Sequence, residues 1–155
     1  MIPDAEELPE GGWFDDAGSH WMAIRIYYED TDFTGMVYHA NYLRYFERGR
    51  SSHLRAAGVL HTNLLERDDP AAFTIVRAEI DYKRPARVDD LILIRTDYLG
   101  LNGIRILFRQ AAMLGQTVLA EGRITAVAIH MDGRPRRPVP EVAERLDGYI
   151  VDREA

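Results

Sequence analysis

Cysteine is absent from the 155 residues. That excludes disulfides, thiolate metal sites and a cysteine nucleophile, and it leaves the redox compartment unmarked. No apolar run approaches the ~20 residues a spanning helix needs, so no membrane crossing is expected. Residues 1–20 contain neither Lys nor Arg, which removes the basic-then-apolar order of a signal peptide, and a cytoplasmic location is expected. Lysine is nearly missing: of 19 Lys and Arg residues only Lys83 is lysine. The net charge of −6 is carried by Asp4, Glu6, Glu7, Glu10, Asp15 and Asp16, and beyond them 19 acidic face 19 basic residues. A balanced domain argues against nucleic-acid binding through a basic field. There is no Gly-x-Ser-x-Gly elbow for a serine nucleophile. His20, His53, His61 and His130 are scattered without ligand spacing, so no metal and no cofactor is expected.

What is present suffices for one core, with 46% hydrophobic residues. Residues 1–20 are acidic, dotted with Gly and Pro, and read as a flexible N-terminal tail; 21–150 read as the domain and 151–155 as a C-terminal tail. Alternation of Ile24, Ile26 and Tyr28 with Arg25 and Tyr27 predicts a strand over 22–28. Tyr42, Tyr45, Phe46, Gly49, His53 and Ala56 recur at helical spacing from Ala40 to Ala57, and Gly58 supplies a stop. Gly49 costs about 1 kcal/mol relative to Ala inside a helix, which predicts a close approach of that helix to a sheet. Strand patterns follow at 73–82, 91–99, 104–113 and 117–130, punctuated by Asn102-Gly103, Gly115-Gln116 and Asp132-Gly133. Pro135, Pro138 and Pro140 stop further pairing, and Glu141 to Leu146 suit a short terminal helix. One long helix among four long strands predicts an α+β architecture: an antiparallel sheet wrapped around one central α-helix.

The chemistry-bearing stretch is 28–47. A carboxylate-rich turn, with Asp30 and Asp32 flanking Thr31 and Gly35 permitting a tight bend, runs directly into the long helix. The unpaired amides and positive dipole end of that helix suit a developing oxyanion. Asp32 could otherwise do no more than close an Asx-turn, and Asp30 reads as a turn former or ion-pair partner.

The run Tyr28-Glu29-Asp30-Thr31-Asp32-x-x-Gly35-x-Val37-Tyr38-His39-Ala40-Asn41-Tyr42, then Phe46-Glu47-Arg48 and Ile80-Asp81-Tyr82-Lys83-Arg84-Pro85-Ala86-Arg87-x-Asp89-Asp90, closely resembles the Tol-Pal-associated acyl-CoA thioesterases. These belong to the 4-hydroxybenzoyl-CoA thioesterase group of the hotdog-fold superfamily. The likeness covers 22–147. It implies a hotdog fold, hydrolysis of acyl-CoA, and homodimers or homotetramers with active sites at subunit interfaces. Asp32 matches the catalytic aspartate, as nucleophile or as general base for water, and His39 matches the histidine whose ring or backbone amide polarises the thioester. Phe33-Thr34 departs from the two small residues members often carry. Tyr38 reads as a packing residue or a substrate contact, and Glu47 as an ion-pair partner of Arg50. The CoA phosphates call for Lys83, Arg84 and Arg87, or for Arg134, Arg136 and Arg137. Two other readings are a non-catalytic acyl-CoA-binding or envelope-associated scaffold, and a hotdog hydratase or dehydratase. The carboxylate before Gly35 and the missing His-Phe-Pro-Gly segment argue against the hydratase.

Overall fold

Seven antiparallel strands form one sheet: β1 (Trp13–Phe14), β2 (His20–Arg25), β3 (Ala72–Tyr82), β4 (Leu91–Asn102), β5 (Arg105–Leu114), β6 (Thr117–Ile129) and β7 (Pro135–Arg136). This is a computed structural model in which residues 1–151 are described; the remainder of the expected C-terminal tail, 152–155, lies outside them. The strand order is β1-β2-β4-β5-β6-β3, with β7 pairing β6. The β4–β5–β6 meander turns at Gly103 and Gly115, whose φ values of 62° and 57° place both in the left-handed region that glycine tolerates.

The helix α1 (Asn41–Ala56) packs on β2, β4 and β5. Its inward face carries Tyr42, Tyr45, Phe46, Gly49, His53 and Leu54, which join Ile92, Ile94, Tyr98, Phe108 and Ile124 in the core. Gly49 is the point of nearest approach, because a Cβ there would sit 2.7 Å from Thr96 Oγ1 and 2.8 Å from Ile94 Cγ2. Beside it the buried Gln110 donates to the Phe46 carbonyl (2.9 Å) and to Thr96 Oγ1 (2.8 Å), and accepts from Arg50 (3.0 Å).

Several expectations need correction. The strand expected over 22–28 runs from His20 to Arg25 instead; the Asp30 carboxylate accepts from the Tyr27 amide (2.8 Å) and curls 28–30 into a 3₁₀ turn, leaving Tyr28 exposed. A short helix α2 (His61–Leu65) follows α1, between the Gly58 stop and the first of the four strand patterns, where no element was expected. Pairing does not stop at Pro135, because β7 still sets Pro135 against Ile129 and Arg136 against Ala128 of β6, and the terminal helix α3 spans Pro140–Asp147. The first 20 residues do not hang free as a tail. Ile2, Ala5 and Leu8 pack against Trp21 and Leu93, β1 pairs with β2, and the Asp15 carboxylate accepts from Trp21 Nε1 (2.9 Å) and Ser19 N (3.0 Å). Asp4 and Asp15 serve there as local caps, which composition alone cannot distinguish from solvated charge.

Folding also joins two histidines far apart in sequence. The rings of His20 and His53 lie 6.0 Å apart, both fully buried, under Phe14, which itself stacks on Tyr149 at 3.8 Å. Among the described residues neither ring nitrogen of His53 has a hydrogen-bond partner, and His20 has only the Gly11 carbonyl at 3.1 Å. Burial lowers both pKa values from 6.5, to about 3 for His53 and about 4 for His20.

Two outcomes follow from this packing. Gly49→Ala should destabilise the protein in urea unfolding, because overpacking costs about 1–3 kcal/mol against the ~1 kcal/mol gained in helix propensity. The buried histidines are neutral when folded, whereas the unfolded chain takes up protons below its ordinary histidine pKa, so stability is full above that value and falls as pH drops. At about pH 5 each histidine should cost about 2 kcal/mol relative to about pH 8. His53→Leu should roughly halve that pH dependence, as read by thermal or urea melts.

Candidate active site

The turn before α1 is built by backbone bonds. Asp30 O accepts from Tyr38 N (3.0 Å) and Asn41 Nδ2 (2.7 Å), which ties the turn to the first residue of the helix. Asp32 N donates to Met36 O (2.9 Å), Gly35 takes a φ of 79°, and Val37 N donates to Ala86 O (2.9 Å), so the turn is also held to the loop after β3. The Asp32 carboxylate does close an Asx-turn: its Oδ1 accepts from the Thr34 amide (2.8 Å) and the Thr34 hydroxyl. Its Oδ2 has no partner among the described residues. The Asx-turn therefore occupies one oxygen of Asp32 and leaves the other without a partner among the described residues. The Thr34 hydroxyl and then its amide lower the Asp32 pKa below the ordinary carboxylate value, and His39 adds a smaller push in the same direction.

His39 closes the other side. The Tyr82 hydroxyl donates to His39 O (3.1 Å), and the His39 ring lies 4.7 Å from that of Tyr38 and 6.0 Å from that of Tyr82. Helix α1 starts without a side-chain cap at Ala40. The amides of His39 and Ala40 have no acceptor among the described residues, so two N–H groups and the dipole end stay open to an anionic oxygen.

Asp32, His39, Tyr42, Tyr82, Lys83 and Arg84 line one open groove of about 310 Å³. Tyr38 is about half exposed and lies outside that lining, against the His39 ring. Arg87 is also outside; its backbone bridges Met36 and its amide donates to Asp90 (2.9 Å). Lys83 pairs with Glu121 at 2.7 Å, whereas Arg84 is exposed and has no ion-pair partner among the described residues. In the second basic cluster, Arg134 is held by Asp132 (2.7 Å) and Arg136 by Asp69 (2.9 Å), and neither lines the groove. Asp30 spends its carboxylate on the Tyr27 amide and sits beside the buried Tyr45, whose pKa burial raises and the Asp30 charge raises further. Glu47 pairs with Arg50 at 2.9 Å. No three His, Asp or Glu side chains cluster as metal ligands among the described residues. No helix among them is long and apolar enough to cross a membrane. Sequence reasoning overlooked Thr34 and Tyr82 as site-building residues; Tyr82 stood inside the second quoted motif, but its bond to His39 O spans 43 positions.

Residues 27–146 match the profile of the thioesterase-like superfamily. The chain belongs to this family. It is 37% identical over 108 residues to the acyl-CoA thioesterase YbgC of Haemophilus influenzae, covering 70% of this chain and 79% of that protein. It is 34% identical over 107 residues to the acyl-CoA thioester hydrolase YbgC of Escherichia coli O6:H1, covering 68% and 78%. A probable thioesterase from Bartonella henselae superposes with a TM-score of 0.76 at 37% identity, covering 78% of this chain and 99% of its own. The architecture is the hotdog fold of these thioesterases, an α+β sheet on a helix, and the protein is a thioester hydrolase.

For this thioesterase, Thr34→Ala removes the largest contribution holding the Asp32 pKa down. If the carboxylate form is the working one, the acid limb of kcat/KM should move to higher pH in Thr34→Ala, and Thr34→Ser should restore the original limb. A pH–rate profile of the three proteins checks this.

Proposed function

We propose that the enzyme hydrolyses acyl-CoA esters to free acid and CoA, with water as its only co-substrate. The observation that carries this reading is that Asp32, whose Oδ2 has no partner among the described residues, and His39, whose amide is open beside that of Ala40, line one groove. The thioester carbonyl oxygen, directed at those amides, has its developing negative charge stabilised at the helix start. Asp32 acts at the carbonyl carbon, either by taking a proton from the attacking water or by attacking it directly. The C–S bond then breaks and CoA leaves as a thiolate; where Asp32 has attacked directly, water next cleaves the resulting aspartyl acyl anhydride, which releases the free acid and restores the carboxylate. Thiols have pKa values near 8.5, so a strong acid for the leaving group is not required. Lys83 and Arg84 flank the groove and meet the phosphates of CoA, with Arg87 and Tyr38 at its margin.

The same proposal includes a second copy of the chain. β3 pairs only β6 among the described strands, and its other edge is long, with Ile75, Val76 and Tyr82 each more than two-fifths exposed. Such an edge is a template for another strand. An antiparallel β3–β3 pair centred on Ala78 sets Arg77 against Glu79 and Val76 against Ile80 of the partner subunit, twice over. A homodimer formed this way brings the groove, which is wide open in the protomer, to the interface; pairing of dimers gives the homotetramer. Membership of the Tol-Pal-associated branch in the 4-hydroxybenzoyl-CoA thioesterase group belongs to this reading, supported by the motif at 28–42, as does work in the cytoplasm, supported by the absence of a basic-then-apolar order in residues 1–20.

Thiol release from a panel of acyl-CoA esters tests it. Asp32→Ala, folded and with unchanged oligomeric state, should lose about 10²–10⁴-fold in kcat, while His39→Ala keeps its backbone amide and should retain much of the rate. Equal rates for wild type and Asp32→Ala would sink the assignment. Charge removal at Lys83 and Arg84 should raise KM for acyl-CoA and spare thioesters that lack CoA.

A further inference from the structure

Outside the groove, an apolar pocket of about 180 Å³ lies between α1, α2 and the start of β3, floored by Leu54, Phe108, Ala126 and Leu146. It shares no lining residue with the groove, so control over charge at a bound carbonyl falls to the groove's own polar groups. Among these the Tyr82 hydroxyl is spent on the backbone: it donates to the carbonyl of His39 (3.1 Å).

That carbonyl is poorly served by its own helix. The chain entering α1 is wound with a 3₁₀ pitch, because Asn41, Tyr42 and Leu43 donate three residues back, to Tyr38 O (2.9 Å), His39 O (3.3 Å) and Ala40 O (3.2 Å). Such bonds have poorer geometry than those of an α-helix, and the one to His39 O is the longest of the three. Tyr82 supplies a second donor from β3, 43 positions away. Its ring meets those of His39 (6.0 Å, 84°) and Tyr42 (5.6 Å, 69°) edge-on, which gives the hydroxyl a fixed aim. Partial burial holds the Tyr82 pKa above its ordinary value, so the hydroxyl keeps its proton across the neutral range.

The carbonyl of His39 and the N–H of Ala40 are two ends of one planar peptide group. A hydrogen bond at the oxygen draws electron density from the nitrogen and makes that N–H a stronger donor, since linked hydrogen bonds polarise one another. It also fixes the tilt of the plane, and with it the direction of an N–H that has no acceptor among the described residues. Resting on the thioesterase reading above, we propose that Tyr82 is a positioning residue for the oxyanion: by holding the His39 carbonyl it orients and polarises the Ala40 amide that receives the developing charge of the thioester oxygen. The hydroxyl acts through the peptide group and does not touch the substrate.

Tyr82→Phe keeps the ring and removes the donor. In acyl-CoA hydrolysis its kcat should fall about ten-fold, the order expected for one hydrogen bond that counts in the transition state. KM should stay within about two-fold of wild type, and the acid limb of the pH–rate profile should stay in place, because Asp32 and Thr34 are untouched. An unchanged kcat overturns the proposal, and so does a fall accompanied by a displaced acid limb, which would mean that the whole turn had moved. A backbone ester at position 40, made by incorporating lactic acid in place of Ala40, deletes the N–H itself. In that protein Tyr82→Phe should cost less than about two-fold more, since the two changes remove one shared effect; an undiminished loss would assign the hydroxyl to another contact and overturn the role. A readout independent of turnover is the carbonyl carbon-13 resonance of bound S-acetonyl-CoA, a ketone that cannot release thiol and whose signal moves downfield as its carbonyl is polarised. If the wild type releases no thiol from any ester, the thioesterase reading has failed separately; a downfield displacement in the wild type that Tyr82→Phe diminishes would then uphold the role of Tyr82, and equal resonances in the two proteins would overturn it.

Discussion

The contact on which the rest depends is the seating of α1 on the sheet at Gly49. Only a residue without Cβ lets the helix backbone come so near Ile94 and Thr96, and Gln110 then bonds both the helix carbonyl of Phe46 and the Thr96 hydroxyl. This sets the height and direction of the helix. Its first turn consequently emerges at the end of β3, where Tyr82 bonds the His39 carbonyl and the loop after β3 holds Val37. The open amides of the helix start are placed by packing several turns away.

The turn carrying Asp32 obeys a second constraint. Asp30 supplies a carboxylate to the Tyr27 amide and a carbonyl to Tyr38 and Asn41, so it shapes the turn with both ends of the residue. Asp32, two positions on, has one oxygen fixed by Thr34 and the other free. Neighbouring acids in one motif thus divide into one that builds the turn and one that keeps an oxygen open to the groove, by which hydrogen-bond donors each meets. The same division explains the departure at Phe33-Thr34: Phe33 is fully exposed, while Thr34 orients and acidifies the carboxylate.

Polar groups in the interior follow a related logic. Arg50 and Gln110 are buried with partners and belong to the seat of α1. His53 is buried without any among the described residues, and burial holds it neutral. Residues 1–20 close over that histidine pair through Phe14 and Gly11, so a segment of acidic composition contributes to the core boundary.

Periodicity and turn residues were enough to give one long helix, four long strands and their antiparallel order, because local repeat and glycine chemistry act within a few positions. The 28–42 motif likewise marked Asp32 and His39, since its spacing is continuous in the chain. Contacts between distant positions were not legible. The Tyr82–His39 bond, the His20–His53 pair and the α1–α2–β3 pocket join residues separated by ten to more than forty positions, and no local pattern encodes them. Nor could composition tell the packed N-terminal segment from a solvated one. The sequence by itself determined the elements and the carboxylate-bearing turn, whose causes are local; only the tertiary structure decided which oxygen of Asp32 lacks a partner among the described residues, which amides are open and where the apolar pocket lies, because these depend on what other elements bring against them.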